Sequence, residues 1–369
     1  MNYIKKVSAI FSILLGILLL WQWNIIHNSY SPNTNQLDTN TKVEEFLKEN
    51  SPQTDGLNSQ LLKKSSIGMF VESLKFISAN DIEVSGHIWQ KIYSKDKKDI
   101  EPGLIFVDAI GDTTFDKRYT KTYDDFELHG WYFESNIRQS FKYSDYPIDH
   151  KTIWIKIKPK GFNQDQIFVP DLDSYKTTAL GDSFGISKDI LLLGWELNES
   201  FFDYMITDYD TNFGLHNAKN NIELPILAFN IVLNRDLLNA FMINIALILS
   251  TLFLLYILIL MITSDDTLKE EFDISVGTTV STCGGLFFVV LLAHIHLREQ
   301  FSSDGFIYIE FFYLMNYFFI TISALIIFSF YNKSSDKSTI FKNDALFVKI
   351  TYWPIYLGIS NIYTYLHFL

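Results

Sequence analysis

Residues 273–300 read DISVGTTVSTCGGLFFVVLLAHIHLREQ, and this stretch decides the fold class. It is long enough to cross a bilayer as a helix, which takes about 20 residues, yet its first half is rich in hydroxyl groups. Such hydroxyls either bond to their own and neighbouring helices or face a water-filled pathway. At 100° per residue, one arc of this helix collects Ser275, Thr278, Thr279, Thr282, Leu286, Val289 and Ala293.

The composition is that of a membrane protein with a sizeable water-exposed domain. Aromatic residues make up 16% of the 369 residues and charged residues only 20%. The net charge of −12 argues against nucleic-acid binding, which needs a basic face. Cys283 is the only cysteine, so there is no disulfide framework and no thiolate metal site.

The N-terminal segment has the pattern of a signal sequence. Lys5 and Lys6 precede an apolar run, Val7–Trp23, but no small-x-small cleavage motif follows it. We therefore expect an uncleaved signal anchor over residues 1–27, with a removed signal peptide as the alternative. Residues 28–66 are rich in Asn, Ser, Thr and Lys, which predicts a flexible linker holding one short helix.

Residues 67–235 show short alternating apolar runs broken by turn residues, which predict an antiparallel β-sandwich or barrel. In Leu227–Leu233, for example, alternate residues are strongly apolar. The segment is large enough to bury a core of its own. The other predicted strands are Met69–Ile77, Ile82–Ile92, Leu104–Val107, Gly130–Glu134, Thr152–Ile157 and Ile190–Leu197.

Residues 236–369 contain four apolar segments with short connectors, which predict a transmembrane bundle of antiparallel neighbours. Loop lysines orient such a bundle, because positive loops stay in the cytoplasm. Lysines in the first and third connectors match the side of Lys5 and Lys6, so the strand domain and the C-terminus are expected outside. The segments are Leu237–Ile262, Ile274–His296, Phe306–Tyr331 and Leu346–Leu366.

Few residues point to catalysis or to metal binding. Gly181–Gly185 matches G-x-S-x-G, but a nucleophile elbow needs a buried strand before it and a helix after it. Here a polar segment precedes it and a predicted strand follows it, so a turn is favoured and a Ser183 hydrolase is the least favoured alternative. His294 and His296 point apart on a helix and cannot chelate one metal together. We therefore predict no enzyme, no metal and no cofactor.

Four local strings, in the same order, resemble the prokaryotic branch of the pentameric ligand-gated ion channels, the Cys-loop receptor superfamily. The resemblance runs from Ile67 to the C-terminus and implies an outer strand sandwich followed by four helices, the second of which lines a pore. The strings are IWQKI within Ile82–Ile92, the Tyr146-Pro147-Ile148-Asp149 end of the hairpin Gly130–Asp149, LLGWEL around Trp195, and Leu227–Arg235 with its closing arginine.

The resemblance also implies roles for individual residues. Asp149 and Arg235 would form a charge pair between sandwich and membrane, and coupling would continue through Arg298 in the connector His296–Gly305. From its place near the outer end of the third segment, and not from the resemblance, Glu310 would either snorkel to the interface or pair with Arg298. The pore-facing set would be Glu271, Ser275, Thr279, Thr282, Leu286 and Val289, with Glu271 forming an acidic ring that favours cations. The aromatic ligand box would be drawn from Trp89, Trp131, Tyr132, Tyr204, Tyr209 and Phe213.

The expected function is a ligand-gated, cation-selective ion channel in the bacterial inner membrane. Its expected partners are membrane lipid, further copies forming a homopentamer, and a small-molecule ligand or a proton. The alternative is a non-conducting membrane receptor of the same fold. Two departures from the family favour that alternative: the usual prolines are absent, and Thr282 stands at the gate position with Gly284 and Gly285 beside it.

Overall fold

A computed structural model describes residues 2–29, 35–50, 63–94, 96, 100–160, 166–207, 211, 225–267, 275–301, 305–331 and 342–368. The chain divides into two compact units. The sheet unit comprises Ser31–Phe141 and His150–Asn234. The helical unit comprises Met1–Tyr30, Lys142–Asp149 and Arg235–Leu369, so a short segment between two strands belongs with the helices.

The described residues of the sheet unit form two sheets. The strand orders are β4-β5-β2-β1-β7 and β3-β6-β9-β8. The pairs β1–β2, β2–β5, β4–β5, β3–β6 and β6–β9 are antiparallel, and β1 runs parallel to β7. The strands are β1 (Lys63–Phe76), β2 (Asp81–Tyr93), β3 (Leu104–Phe106), β4 (Thr114–Thr122), β5 (Phe126–Arg138), β6 (His150–Pro159), β7 (Gln166–Pro170), β8 (Trp195–Ile206) and β9 (Pro225–Arg235).

Both sheets contribute side chains to one hydrophobic core. Alternate residues of β2 are buried there, as period-2 patterning requires. The apolar face of β9 lies in the core too, and the residues of its other face are also buried. Helix α2 (Asn40–Asn50), inside the predicted linker, adds Val43 and Leu47 to this core, so that part of the linker belongs to the sheet unit.

The strand predicted at Ile190–Leu197 is wrong over its first five residues. The chain is irregular there, and Gly194, with φ +77°, turns it immediately before β8 begins at Trp195. Leu191 and Leu193 are correspondingly exposed, by 82% and 89%. Two strands were not predicted: β4 is an almost wholly exposed edge strand of polar residues, and β7 is only five residues long.

The described helical unit contains four helices that are long and apolar enough to cross a membrane. They comprise α1 (Asn2–Asn28); the stretch Leu237–Leu260, made of α3 (Leu237–Ala240), a π-helical turn (Phe241–Ile245) and α4 (Ala246–Leu260); α5 (Val276–Phe301); and α6 (Tyr308–Tyr331). The remaining predicted span lies in α7 (Lys342–Phe368). Helix α7 is less apolar because it carries Lys349, Asn361 and several tyrosines.

Helices α1 and α7 pack against each other in parallel. Near their beginnings, the Ser8 hydroxyl donates to the Ile350 carbonyl. Further along both helices, the Asn361 side-chain amide donates to the Leu15 carbonyl over 3.0 Å. Because the contacting positions rise together, Lys5 and the first turns of α7 lie at the same end of the helical unit.

Candidate functional site

Asp149 and Arg235 meet because of strand register. The antiparallel β6–β9 ladder pairs His150 with Asn234, and the next positions outward are Asp149 and Arg235. Arg235 donates from Nε to one carboxylate oxygen of Asp149 and from a terminal nitrogen to the other over 2.9 Å. The expected charge pair is therefore present, and both of its residues belong to the helical unit.

A string of polar contacts leads from this ion pair into the helices. The Arg235 guanidinium lies 4.7 Å from the centre of the Tyr146 ring. The Tyr146 hydroxyl accepts a 2.7 Å hydrogen bond from the side-chain amide of Asn244. The Asn244 oxygen in turn accepts a 3.1 Å bond from the Tyr313 hydroxyl. Asn244 sits in the π-helical turn, a feature often found at functional sites.

Glu310 forms the other end of the string. Its carboxylate is fully buried and pairs with Arg298. It also lies 3.2 Å from Nε2 of His294 and accepts a 2.8 Å bond from the backbone N–H of Ile307. The pairing with Arg298, one of two expectations for Glu310, is thus present, and these contacts are what a buried carboxylate needs.

His294 links Glu310 to Tyr313, because its ring also stacks on the Tyr313 ring at a centroid distance of 5.2 Å. Its Nδ1 also lies 3.2 Å from the Tyr317 hydroxyl. His296, two residues on, is exposed. We call the connected set the polar network: Asp149, Arg235, Tyr146, Asn244, Tyr313, His294, Glu310 and Arg298.

The segment Lys142–Asp149 is held on the helices by aromatic packing as well. Phe301, at the end of α5, contacts the rings of Tyr143 and Tyr146 at centroid distances of 4.8 and 4.5 Å. The Ser144 carbonyl accepts a 2.7 Å bond from the N–H of Tyr308, which begins α6. Burial, aided by the nearby Asp149 carboxylate, raises the pKa of Tyr143 to about 12, so this ring stays neutral.

The hydroxyl stripe of α5 is only partly on the exposed face of the chain. Ser275, Thr282 and Val289 are exposed, and Leu286 is half-buried. Thr279, expected to face a pore, is instead buried, and its hydroxyl donates to the Ser275 carbonyl over 2.8 Å. It lies on the packed side of α5 with Cys283 and Val290, because that edge of the predicted arc packs inward.

Three expected site residues, Glu271, Tyr209 and Phe213, lie outside the described residues. Of the other ligand-box candidates, Trp89 sits on the half-buried face of β2. Its indole N–H donates a 2.7 Å bond to the buried Asp171 carboxylate, which also accepts a 2.8 Å bond from Lys91. Trp89 also lies against Tyr175, at a centroid distance of 5.8 Å.

The remaining box candidates occupy different surroundings. Tyr132 packs against His87 and carries the Arg118 guanidinium 5.3 Å from its ring centre. Tyr204 is a core residue, since its ring stacks on Phe46 and its hydroxyl donates to the Phe168 carbonyl over 2.9 Å. Of the described candidates, Tyr204 thus lies in the core, while Trp89 and Tyr132 make separate sets of contacts.

Trp131 lines a cleft of about 460 Å³ in the sheet unit. Phe106 and Phe115 contribute aromatic surface to this cleft, and Lys160 and Asp112 contribute charge. The volume lies in the usual range for small-ligand sites, about 300–1,000 Å³.

Gly181–Gly185 forms a turn that docks on β1. The Gly185 carbonyl accepts a 2.8 Å bond from the N–H of Val71, and Ser183 is exposed. No strand directly precedes this turn and no helix follows it, so an elbow is not formed. Over the described ranges, no three His, Cys, Asp or Glu side chains are grouped so as to hold a metal ion.

No protein-family model matches the chain, and no curated protein matches it.

Sequence reasoning missed Asn244 and Tyr313 as members of the polar network. The available signal was Asn244 itself, an amide inside the apolar segment Leu237–Ile262, since polar groups within such segments usually face protein and have partners.

Proposed function

We propose that the chain is a ligand-gated, cation-selective ion channel of a bacterial plasma membrane, with five copies arranged around α5. The two sheets form a β-sandwich outside the cell, and the C-terminus lies on the same side. The parallel packing of α1 and α7 supports this orientation. It puts Lys5, Lys6 and Lys349 at one end, which the positive-inside rule assigns to the cytoplasm.

One observation supports a gated channel most directly, and it is the polar network. It connects the segment between β5 and β6 to the π-helical turn before α4, to α5 and to α6 through specific contacts. An element held by such discrete contacts can switch between two arrangements, and a ligand that prefers one arrangement shifts the equilibrium. In this proposal, a small molecule or a proton acts on the sandwich and the network passes the change to α5.

The lining of the pore is the exposed hydroxyl face of α5. Ser275 directly precedes the helix on this face, Thr282 lies on it in the first half of the helix, and Val289 lies on it in the second half. Hydroxyls suit a hydrated ion path, and an apolar ring at Val289 suits a gate that closes by dewetting. Glu271 forms the acidic ring that selects cations.

Current through planar bilayers tests the proposal. Purified protein should give ligand- or pH-dependent single-channel currents, and Glu271→Gln should lower the preference for cations over anions. Glu299→Gln, at the other end of α5, is the matched charge control. An intact pentamer that passes no current under any ligand or pH condition would reject conduction, and unchanged reversal potentials in Glu271→Gln would reject the acidic ring.

The second candidate is a non-conducting membrane receptor of the same fold. Gly284 and Gly285 favour it, because both lie on an exposed part of α5 where an added Cβ would meet open space. Such bare backbone allows α5 helices of neighbouring copies to pack closely and close the path. Counting subunits separates the two functions: a monomer or dimer supports the receptor, and a pentamer supports the channel.

A further inference from the structure

A groove of about 470 Å³ lies where α1, α4 and α7 come together in the helical unit. Its walls are apolar and aromatic, with Ile13 from α1, Phe253 from α4 and Trp353 from α7. The rings of Phe253 and Trp353 pack at a centroid distance of 4.8 Å. Because Ile13 is 62% exposed, the groove opens onto the apolar outer surface of the unit.

Two lysines line the same groove at one end. Lys5 comes from the first turns of α1, and Lys349 comes from α7, which runs parallel to it. The Lys349 ammonium donates a 2.7 Å hydrogen bond to the Ile262 carbonyl, which fixes its position. Asp344 attracts the Lys349 charge, and Lys5 repels it more weakly. An anion placed between the lysines would relieve that repulsion.

We propose that this groove binds an anionic phospholipid of the surrounding bilayer. The phosphate lies between Lys5 and Lys349, and one acyl chain runs along Ile13, Phe253 and Trp353. Basic pockets between membrane helices bind anionic lipid head groups in this way. The groove continues from the lysines along apolar side chains, and a free phosphate ion would leave that apolar part empty. The phosphate therefore belongs to a lipid of the bilayer.

A second groove on the same unit provides an internal comparison. It measures about 420 Å³ between α4, α6 and α7, where Phe318, Tyr352 and Ile355 line it. No charged residue belongs to its described lining. It can take an acyl chain but has nothing to select a head group, so the pair of lysines distinguishes the first groove.

Lipid binding to the full-length protein tests the proposal. Native mass spectrometry would count the phosphatidylglycerol and phosphatidylcholine molecules retained after extraction from mixed nanodiscs. The variant Lys5→Gln/Lys349→Gln should bind phosphatidylglycerol about 30-fold more weakly, with phosphatidylcholine unaffected. Lys6→Gln removes the same charge from the same turn of α1 but does not line the groove, and it should bind as the native chain does.

A second variant tests the apolar part while keeping both lysines. Ala9 lines the groove, and Ala9→Trp should fill it and displace the lipid. Size-exclusion profiles and helical circular dichroism check folding. If Lys349→Gln does not fold, Lys5→Gln alone and Ala9→Trp decide the question.

Several results would overturn the proposal. Equal losses in Lys6→Gln and in Lys5→Gln alone would mean that general surface charge attracts the lipid. If the double variant and Ala9→Trp both retain as much phosphatidylglycerol as the native chain, the groove is not the lipid-binding site. Inorganic phosphate that displaces phosphatidylglycerol from the protein would identify a free-anion site instead.

Discussion

Arg235 donates hydrogen bonds to both carboxylate oxygens of Asp149 at the point where β6 begins and β9 ends. The pair is well shielded from water, with side chains 11% and 3% exposed. Removing one member of such a pair leaves the other charge buried without this opposite charge, which costs far more than the pair itself contributes.

We therefore expect Arg235→Ala to lower the free energy of unfolding by about 3 kcal/mol or more. Thermal and denaturant unfolding of the full chain in detergent would measure this. Arg138→Ala is the matched control, because it removes an arginine that also makes two bonds to an aspartate, Asp81, but at the surface. It should have little effect. The neutral pair Arg235→Gln/Asp149→Asn should recover part of the loss, and equal losses in Arg235→Ala and Arg138→Ala would contradict this account.

The Glu310–Arg298 contact should show energetic coupling. Glu310→Gln, Arg298→Gln and the double variant form a cycle, and we expect a coupling energy of about 1 kcal/mol or more between these residues in direct contact. His296→Gln serves as the control, since His296 is exposed on the same helix two residues from His294. It should couple to Glu310→Gln by less than the error of the measurement. If the losses in unfolding free energy of Glu310→Gln and Arg298→Gln simply add in the double variant, the contact is not maintained in solution.

Asp203 should make the stability of the sheet unit depend on pH. Burial raises the pKa of its carboxyl from 3.8 to about 6, although the 2.7 Å bond from Asn230 opposes the shift. The folded state then holds the proton more tightly than the unfolded chain, so this group stabilises the fold fully below pH 3.8, and that stabilisation is lost as the pH rises through about 6.

Asp203→Asn should abolish the loss of stability that the native chain shows as the pH rises. At pH 7 the variant should be more stable than the native chain by up to about 3 kcal/mol. Asn retains an oxygen that can accept the Asn230 bond. Unfolding midpoints between pH 4 and 8 would be compared with those of Asp112→Asn, which changes an exposed carboxyl of the same unit. A parallel pH profile in native chain and Asp203→Asn would rule out a contribution from Asp203.

Two glycines on adjacent strands should respond differently to alanine. A Cβ at Gly86 would overlap the Phe70 carbonyl oxygen, which is backbone at a β-bulge and cannot move aside. We expect Gly86→Ala to cost about 1–3 kcal/mol. A Cβ at Gly68 would instead meet the Trp89 ring, a side chain that can shift.

Gly68→Ala should therefore cost less stability but change the tryptophan emission, because Trp89 would leave its bond to Asp171. Chemical unfolding together with fluorescence would measure both effects. Trp89→Phe supplies the reference spectrum without that indole. A larger loss for Gly68→Ala than for Gly86→Ala would mean that the bulge, and not the ring, is the adaptable element.

Much of the architecture follows from apolar periodicity. Alternation located β2, β6 and β9, and long apolar runs located the helices, because burial on one face or in lipid demands these patterns. The Asp149–Arg235 contact followed from a resemblance, and its cause, the register of β6 with β9, became visible only with the strands paired.

Other features depend on packing that a single sequence does not encode locally. A helical wheel places Thr279 within the hydroxyl arc, but only packing against neighbouring helices decides which edge of that arc is covered. The π-helical turn adds a residue to one turn and sets the direction of Asn244. The run before Trp195 is as apolar as a strand, yet Gly194 turns the chain there instead.

The assignment of Lys142–Asp149 to the helical unit has a consequence for protein engineering. The chain changes unit between Tyr30 and Ser31, Phe141 and Lys142, Asp149 and His150, and Asn234 and Arg235. A chimera that transplants the sheets onto another membrane base must therefore replace or retain this internal octapeptide together with its aromatic and hydrogen-bonded neighbours. A graft with a single junction at Arg235 would separate the octapeptide from Phe301 and Tyr308, and we expect such a graft to assemble poorly.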